Sequence, residues 1–260
     1  MNTLAQAWSE GATTFGAWTT LNTPVVAERL ALVGYDYVCL DQQHGNADDA
    51  NLFASAVAVA AGGAASLVRV AANQPHLISK ALDCGAAGVV VPLVNDRHDA
   101  ERAVQSCRYP PDGDRSIGPV RQINDHPLCI VMAESVSAVN NIDEICAVRG
   151  VDAVYVGPGD LAISLGCVPT QGVAPGKHAE AIATIVDGCS RHGMVVGIHC
   201  GTATQAIECA TMGFRMVTIS TDMQLLVEAA VDRFTALGES LSATYGAIKG
   251  SSRLTTVSHA

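Results

Sequence analysis

Short apolar runs alternate with longer amphipathic stretches along nearly the whole chain. The runs Thr14–Thr20, Tyr35–Leu40, Ser66–Ala71, Gly88–Val94, Cys129–Glu134, Asp152–Asp160, Val195–Cys200 and Met216–Thr221 place Val, Ile, Leu and Cys on consecutive positions, as strands covered on both faces require. Between them the apolar residues recur at helical spacing. Pro24 opens one such stretch and Gly34 stops it; the others cover Asp48–Ala61, Gln74–Asp83, Asp99–Cys107, Val139–Val148, His178–His192, Thr204–Met212 and Leu225–Leu237. An amphipathic segment, Leu4–Glu10, precedes the first strand. Eight strand–helix units predict an α/β protein, a single (β/α)8 barrel over residues 1–240 with an N-terminal helix and a polar C-terminal tail over 241–260.

Length agrees with that reading, because 260 residues match one such barrel of about 250. A formal charge of −10 and an aromatic content of 4% disfavour a nucleic-acid partner. The chain has no apolar run long enough to span a bilayer and no basic-then-apolar start, which points to no membrane partner and to the cytoplasm. Nine scattered cysteines without a C-x-x-C pair read as buried reduced thiols. No dinucleotide or phosphate-loop fingerprint is present. The turn-rich segment Arg108–Gly118 is explained by turn chemistry alone.

The unusual polar residues then fall into one place. Asp41, His44, Arg69, Glu134 and Asp160 all stand at or just beyond the C-terminal ends of predicted strands, the face where barrel enzymes carry their chemistry. Glu134 and Asp160 end neighbouring parallel strands, so both emerge on one rim, and the pair suits a hard divalent cation more than two helix caps. Arg69 interrupts an apolar strand; beside a cation it serves better as a clamp for a carboxylate or oxyanion than as a core ion-pair partner. His44, with Asp41 three residues before it, is a candidate acid or base, and His199 in the seventh strand reads instead as a satisfied core histidine. The remaining histidines, His178 among them, get the bland structural reading. Small residues at Gly157-Pro158-Gly159 allow close approach of an anion, with the backbone from Pro158 to Asp160 cradling a carboxylate. A 2-oxo acid such as pyruvate would chelate the cation through its carboxylate and ketone oxygens. Loss of a methyl proton would give an enolate, offset by the cation and Arg69, that adds to an aldehyde.

The segments LDQQHG, LVRVAANQPHLISKALDCGAAGVVVPLV, RYPPDGDRSIG and MAESVSAVNNIDEICAVRGVDAVYVGPGDLAISLG resemble the HpcH/HpaI family, the class II pyruvate aldolases that include 4-hydroxy-2-oxoheptanedioate and 2-dehydro-3-deoxyglucarate aldolases. The resemblance implies Glu134 and Asp160 as ligands of Mg²⁺ or Mn²⁺, with Co²⁺ an alternative. It implies Arg69 as the contact to the enolate and ketone oxygen, and His44 as the acid/base acting through a metal-associated water. It further implies that Asp41 and Asp83 support that histidine, Asp83 from a neighbouring subunit, within a homo-oligomer, a hexamer or trimer, that exchanges a helix between barrels. The chain departs from the family at Gln43, where an acid is common, at Met132, where Gln is common, and between Gly118 and Asn124, where relatives carry a longer stretch. These departures spare the enolate half and leave the aldehyde open. The rival readings are a citrate-lyase-β-like or malyl-thioester lyase, for which the 15 Lys and Arg form no basic cluster, and a non-catalytic binding or assembly barrel.

Overall fold

A computed structural model describes residues 3–46, 49–118 and 126–245. Eight parallel strands form a closed barrel in chain order: β1 (Thr14–Thr19), β2 (Tyr37–Asp41), β3 (Ala65–Arg69), β4 (Gly88–Val91), β5 (Leu128–Ala133), β6 (Ala153–Val156), β7 (Val195–His199) and β8 (Met216–Thr221), which closes on β1. The ring of helices contains α2 (Pro24–Val33), α3 (Asp49–Ala61), α4 (Pro75–Asp83), α5 (Arg97–Cys107), α6 (Val136–Asn140), α7 (Ile142–Cys146), α8 (Pro158–Ser164), α9 (Lys177–Arg191), α10 (Ala203–Thr211) and α11 (Asp222–Tyr245). Among the described residues no helix is long and apolar enough to cross a membrane.

Strand alternation divides the apolar residues into two packed sets. Trp18, Tyr37, Cys39, Leu67, Val90, Ile130, Met132, Tyr155 and Met216 fill the barrel. Val38, Leu40, Val68, Val89, Val131, Val154, Ile198 and Val217 pack outward beneath the helices. This double burial explains the continuous apolar runs of the sequence. The short α1 (Thr3–Ser9) plugs the N-terminal end, with Leu4 in the interior set and Trp8 donating from Nε1 to Thr14 Oγ1 at 2.9 Å.

Four local differences from the sequence reading bear on the site. β4 ends at Val91, because Pro92 lacks the N–H a strand would need and Leu93 takes the left-handed region at φ 54. The crossover between β5 and β6 is two five-residue helices broken at Asn141, where one helix would be expected. Asp160 sits in the first turn of α8 and does not end a strand. α11 continues to Tyr245 and so takes in the first five residues of the expected tail. The rest of the tail, the shortened stretch after Gly118 and the expected helix start at Asp48 lie outside the described residues.

Candidate active site

The C-terminal mouth of the barrel brings two carboxylates into opposite electrostatic settings. Asp41, 1% exposed, is bidentate to Arg69: Nε donates to Oδ1 at 2.9 Å and Nη2 to Oδ2. Oδ1 also accepts from the backbone amides of Gln43 at 2.9 Å and His44 at 3.2 Å. Burial raises the Asp41 carboxyl, but the Arg69 hydrogen bonds and charge, with the two amides, outweigh it and hold Asp41 below its usual range. The loop is locked from behind by Asn22, at φ 50, whose Nδ2 donates to the Asp41 carbonyl at 2.7 Å. Asp41 therefore fixes the main chain at His44 and leaves its imidazole exposed to solvent. Among the described residues no hydrogen bond joins the carboxylate to the His44 ring, so the contact Asp41 makes with that histidine is to its main chain. The guanidinium stacks over Trp18, 5.2 Å from the ring centroid, and its Nη1 makes no hydrogen bond to the described residues.

Glu134 follows β5 and is 2% exposed. Its Oε1 accepts from the Leu93 amide at 2.8 Å, a donor aimed by the left-handed turn after Pro92. Its Oε2 is buried without a hydrogen-bond partner among the described residues. Burial pushes this carboxyl up; the Leu93 amide opposes, Asp160 raises it further and Arg69 opposes, and it settles at about 7. Gly157 makes the arrangement possible, since a Cβ there would run into Glu134 Oε2. Two carboxylates with one orphaned buried oxygen fit a divalent cation that fills its other positions with water and substrate. No group of three or more His, Cys, Asp or Glu arranged to hold a metal occurs among the described residues.

Asp160 is exposed at the third position of α8, where its own amide and that of Gly159 have no intrahelical acceptor and can meet an anion. Pro158 is corrected as a donor: proline has no N–H, and its carbonyl is taken by His178 Nε2 at 3.0 Å. His178 Nδ1 accepts from the Ala174 amide at 3.1 Å, so Nε2 carries the proton and donates. This buried histidine ties the start of α8 to α9, a role its helical position in the sequence did not signal. His199 differs from its sequence reading in the other direction. It is half-buried, edge-on to Trp18 at 5.7 Å, and its ring makes no hydrogen bond to the described residues. Asp83 ends α4 at the opposite face of the barrel, where it accepts from Arg115 Nη2 at 2.7 Å. Within one chain it is remote from His44.

Known proteins share this architecture and sequence. The profile of the HpcH/HpaI aldolase/citrate lyase family matches residues 14–229. A hydroxypyruvate/pyruvate aldolase of Rhizorhabdus wittichii is 35% identical over 241 residues, 88% of this chain and 96% of that protein. A 5-keto-4-deoxy-D-glucarate aldolase of Shigella dysenteriae serotype 1 is 33% identical over 224 residues, 80% of this chain and 86% of that protein. The crystal structure of an HpcH/HpaI aldolase/citrate lyase family protein from Burkholderia cenocepacia superposes with a TM-score of 0.85 at 31% identity, covering 91% of this chain and 99% of that one. The chain belongs to the HpcH/HpaI aldolase/citrate lyase family, and it is a carbon–carbon lyase of the aldolase type.

Proposed function

We propose that this lyase joins the enolate of pyruvate, or of a related 2-oxo acid, to an aldehyde and catalyses the reverse cleavage, with a divalent cation held by Glu134 and Asp160. The observation that carries the proposal is the buried, unpartnered Glu134 Oε2 beside a second carboxylate. When bound, Mg²⁺ or Mn²⁺, or Co²⁺ in their place, supplies Lewis-acid stabilisation of the negative charge that develops on the keto oxygen. Arg69, immobilised by Asp41, donates to the same developing charge. The Gly159 and Asp160 amides hold the substrate carboxylate at the start of α8. His44, exposed on a main chain fixed by Asp41, takes the proton lost from the methyl carbon and returns one to the aldehyde oxygen as the new bond forms. Met132 gives that pocket an apolar wall.

Two wider features belong to the same reading. Eight of the nine free cysteines are buried, which suits a reducing compartment such as the cytoplasm. α11 exposes Leu226, Val227, Phe234 and Leu237, which suits a homo-oligomer of trimer or hexamer size in which a second copy covers it and Asp83 serves a neighbour's His44.

Proton exchange tests the central claim. In deuterated buffer the protein is expected to wash out the methyl protons of pyruvate when Mg²⁺ or Mn²⁺ is added and to stop with chelator, followed by proton NMR. Glu134→Ala and Asp160→Ala are expected to slow exchange by roughly 100-fold or more while circular dichroism shows an intact barrel. Full exchange in either variant rejects the ligand assignment.

A further inference from the structure

A histidine that takes no part in the scheme above occupies the inner wall of the same mouth. β7 alternates with Val195 packed on the interior set and with Gly197 facing Tyr155, whose ring a Cβ there would strike, so His199 also points inward. Its main chain is fixed, since its carbonyl accepts from the Gly172 amide at 2.9 Å. Its ring stands at 79° to Trp18, the residue that also carries the Arg69 guanidinium. A buried structural histidine satisfies both ring nitrogens, as His178 does at 3.1 and 3.0 Å. His199 satisfies neither among the described residues and is half-buried.

The surroundings fix the chemistry the ring can offer. Burial and then the Arg69 charge depress it, against a smaller pull from Asp41, to about 4, so it is neutral near pH 7. A neutral imidazole presents one donor and one acceptor, the complement of an alcohol and a poor partner for a second carboxylate or phosphate. Tyr37 and Tyr155 cannot compete for this task, because their hydroxyls are engaged with Thr218 Oγ1 at 2.9 and 2.6 Å.

We propose that His199 is a specificity-determining residue that hydrogen-bonds a hydroxyl group adjacent to the reacting carbonyl, carried either by a 3-hydroxy-2-oxo acid or by a 2-hydroxyaldehyde. The inference rests on the aldolase reading and adds to it a preference for a hydroxylated reactant.

Four reactant pairs separate the two sources: pyruvate or hydroxypyruvate, each with acetaldehyde or glycolaldehyde, measured as kcat/KM for the native protein, His199→Leu and His199→Gln. His199→Leu is expected to lose about 10-fold or more with the hydroxylated reactant and to stay within about twofold for pyruvate with acetaldehyde. His199→Gln, which keeps a donor and an acceptor, is expected to recover part of the loss. A deficit confined to hydroxypyruvate assigns the contact to the nucleophile, and one confined to glycolaldehyde assigns it to the acceptor. Equal losses across all four pairs, or none, overturn the inference while metal-dependent pyruvate exchange by the native protein still stands. If the native protein shows no such exchange, the aldolase reading fails and this inference falls with it.

Discussion

Burial raises the Glu134 carboxyl to about 7, the Leu93 amide pulling it down and Asp160 pushing it up. Its folded value lies above the unfolded one, so between about pH 4.5 and 7 the folded chain holds more protons than the unfolded chain, and stability falls as pH rises through that window. In chelator the melting temperature is therefore expected to drop between pH 5 and 8. Glu134→Gln, which still accepts from Leu93, is expected to flatten that slope and to melt higher than the native protein at pH 8. Added Mg²⁺ or Mn²⁺ is expected to restore the native protein at pH 8 far more than at pH 5, because proton and cation compete for one oxygen. A slope unchanged in Glu134→Gln would place its origin elsewhere. Asp41 behaves oppositely, since its pairing with Arg69 holds it below the usual range and keeps it ionised throughout. The sequence marks both acids as rim residues. It does not show that Asp41 is committed to Arg69 while Glu134 keeps a free oxygen, because that division depends on which neighbours the closed barrel brings within 3 Å.

At the scale of elements, α8 and the turn before it set the spacing of the two proposed ligands. Gly157 is the narrow point: a methyl group there meets Glu134 Oε2 and comes within 3.1 Å of Met132 Cε. Gly157→Ala is expected to displace the Glu134 carboxylate and to reduce cation-dependent exchange on the order of 100-fold, with cation affinity falling in parallel by calorimetry and the far-ultraviolet dichroism unchanged. Exchange and affinity at native levels would show that the turn is less tightly packed than described. The barrel strands and their rim are legible in the sequence because burial on both faces writes continuous apolar runs, and Gly157-Pro158-Gly159 is legible as a place of close approach. The break at Asn141 and the seven-residue α8 are not, since helices this short follow tertiary packing more than propensity. Leu93 is hidden for a related reason: nothing in a leucine announces a positive φ. His178 is missed because both of its partners are backbone groups delivered by the loop between α8 and α9.

For the whole molecule, two features of the single chain point outward. α11 carries Leu226 58% and Phe234 50% exposed, an apolar surface that the proposed second copy would cover. Asp83 stands on the face opposite His44, held by the buried Arg115, so any part it plays at a mouth must be at another copy's mouth. Subunit mixing follows from this geometry. Asp83→Asn and His44→Asn are each expected to be nearly inactive, and the double substitution Leu226→Glu with Phe234→Glu is expected to yield a smaller species by light scattering with activity lost alongside assembly. When Asp83→Asn and His44→Asn chains are unfolded together and refolded as mixed assemblies, about a quarter of the mouths pair an intact His44 with an intact Asp83 by random association. Activity near a quarter of the native level is then the expected result. If Asp83 acted within its own chain, or only anchored Arg115, every mixed mouth would keep one defect and no activity would return. Loss of the Arg115 partner is expected to lower the melting temperature of Asp83→Asn in every case, so the activity recovered in the mixture, and not thermal unfolding, tests the role at a neighbouring mouth.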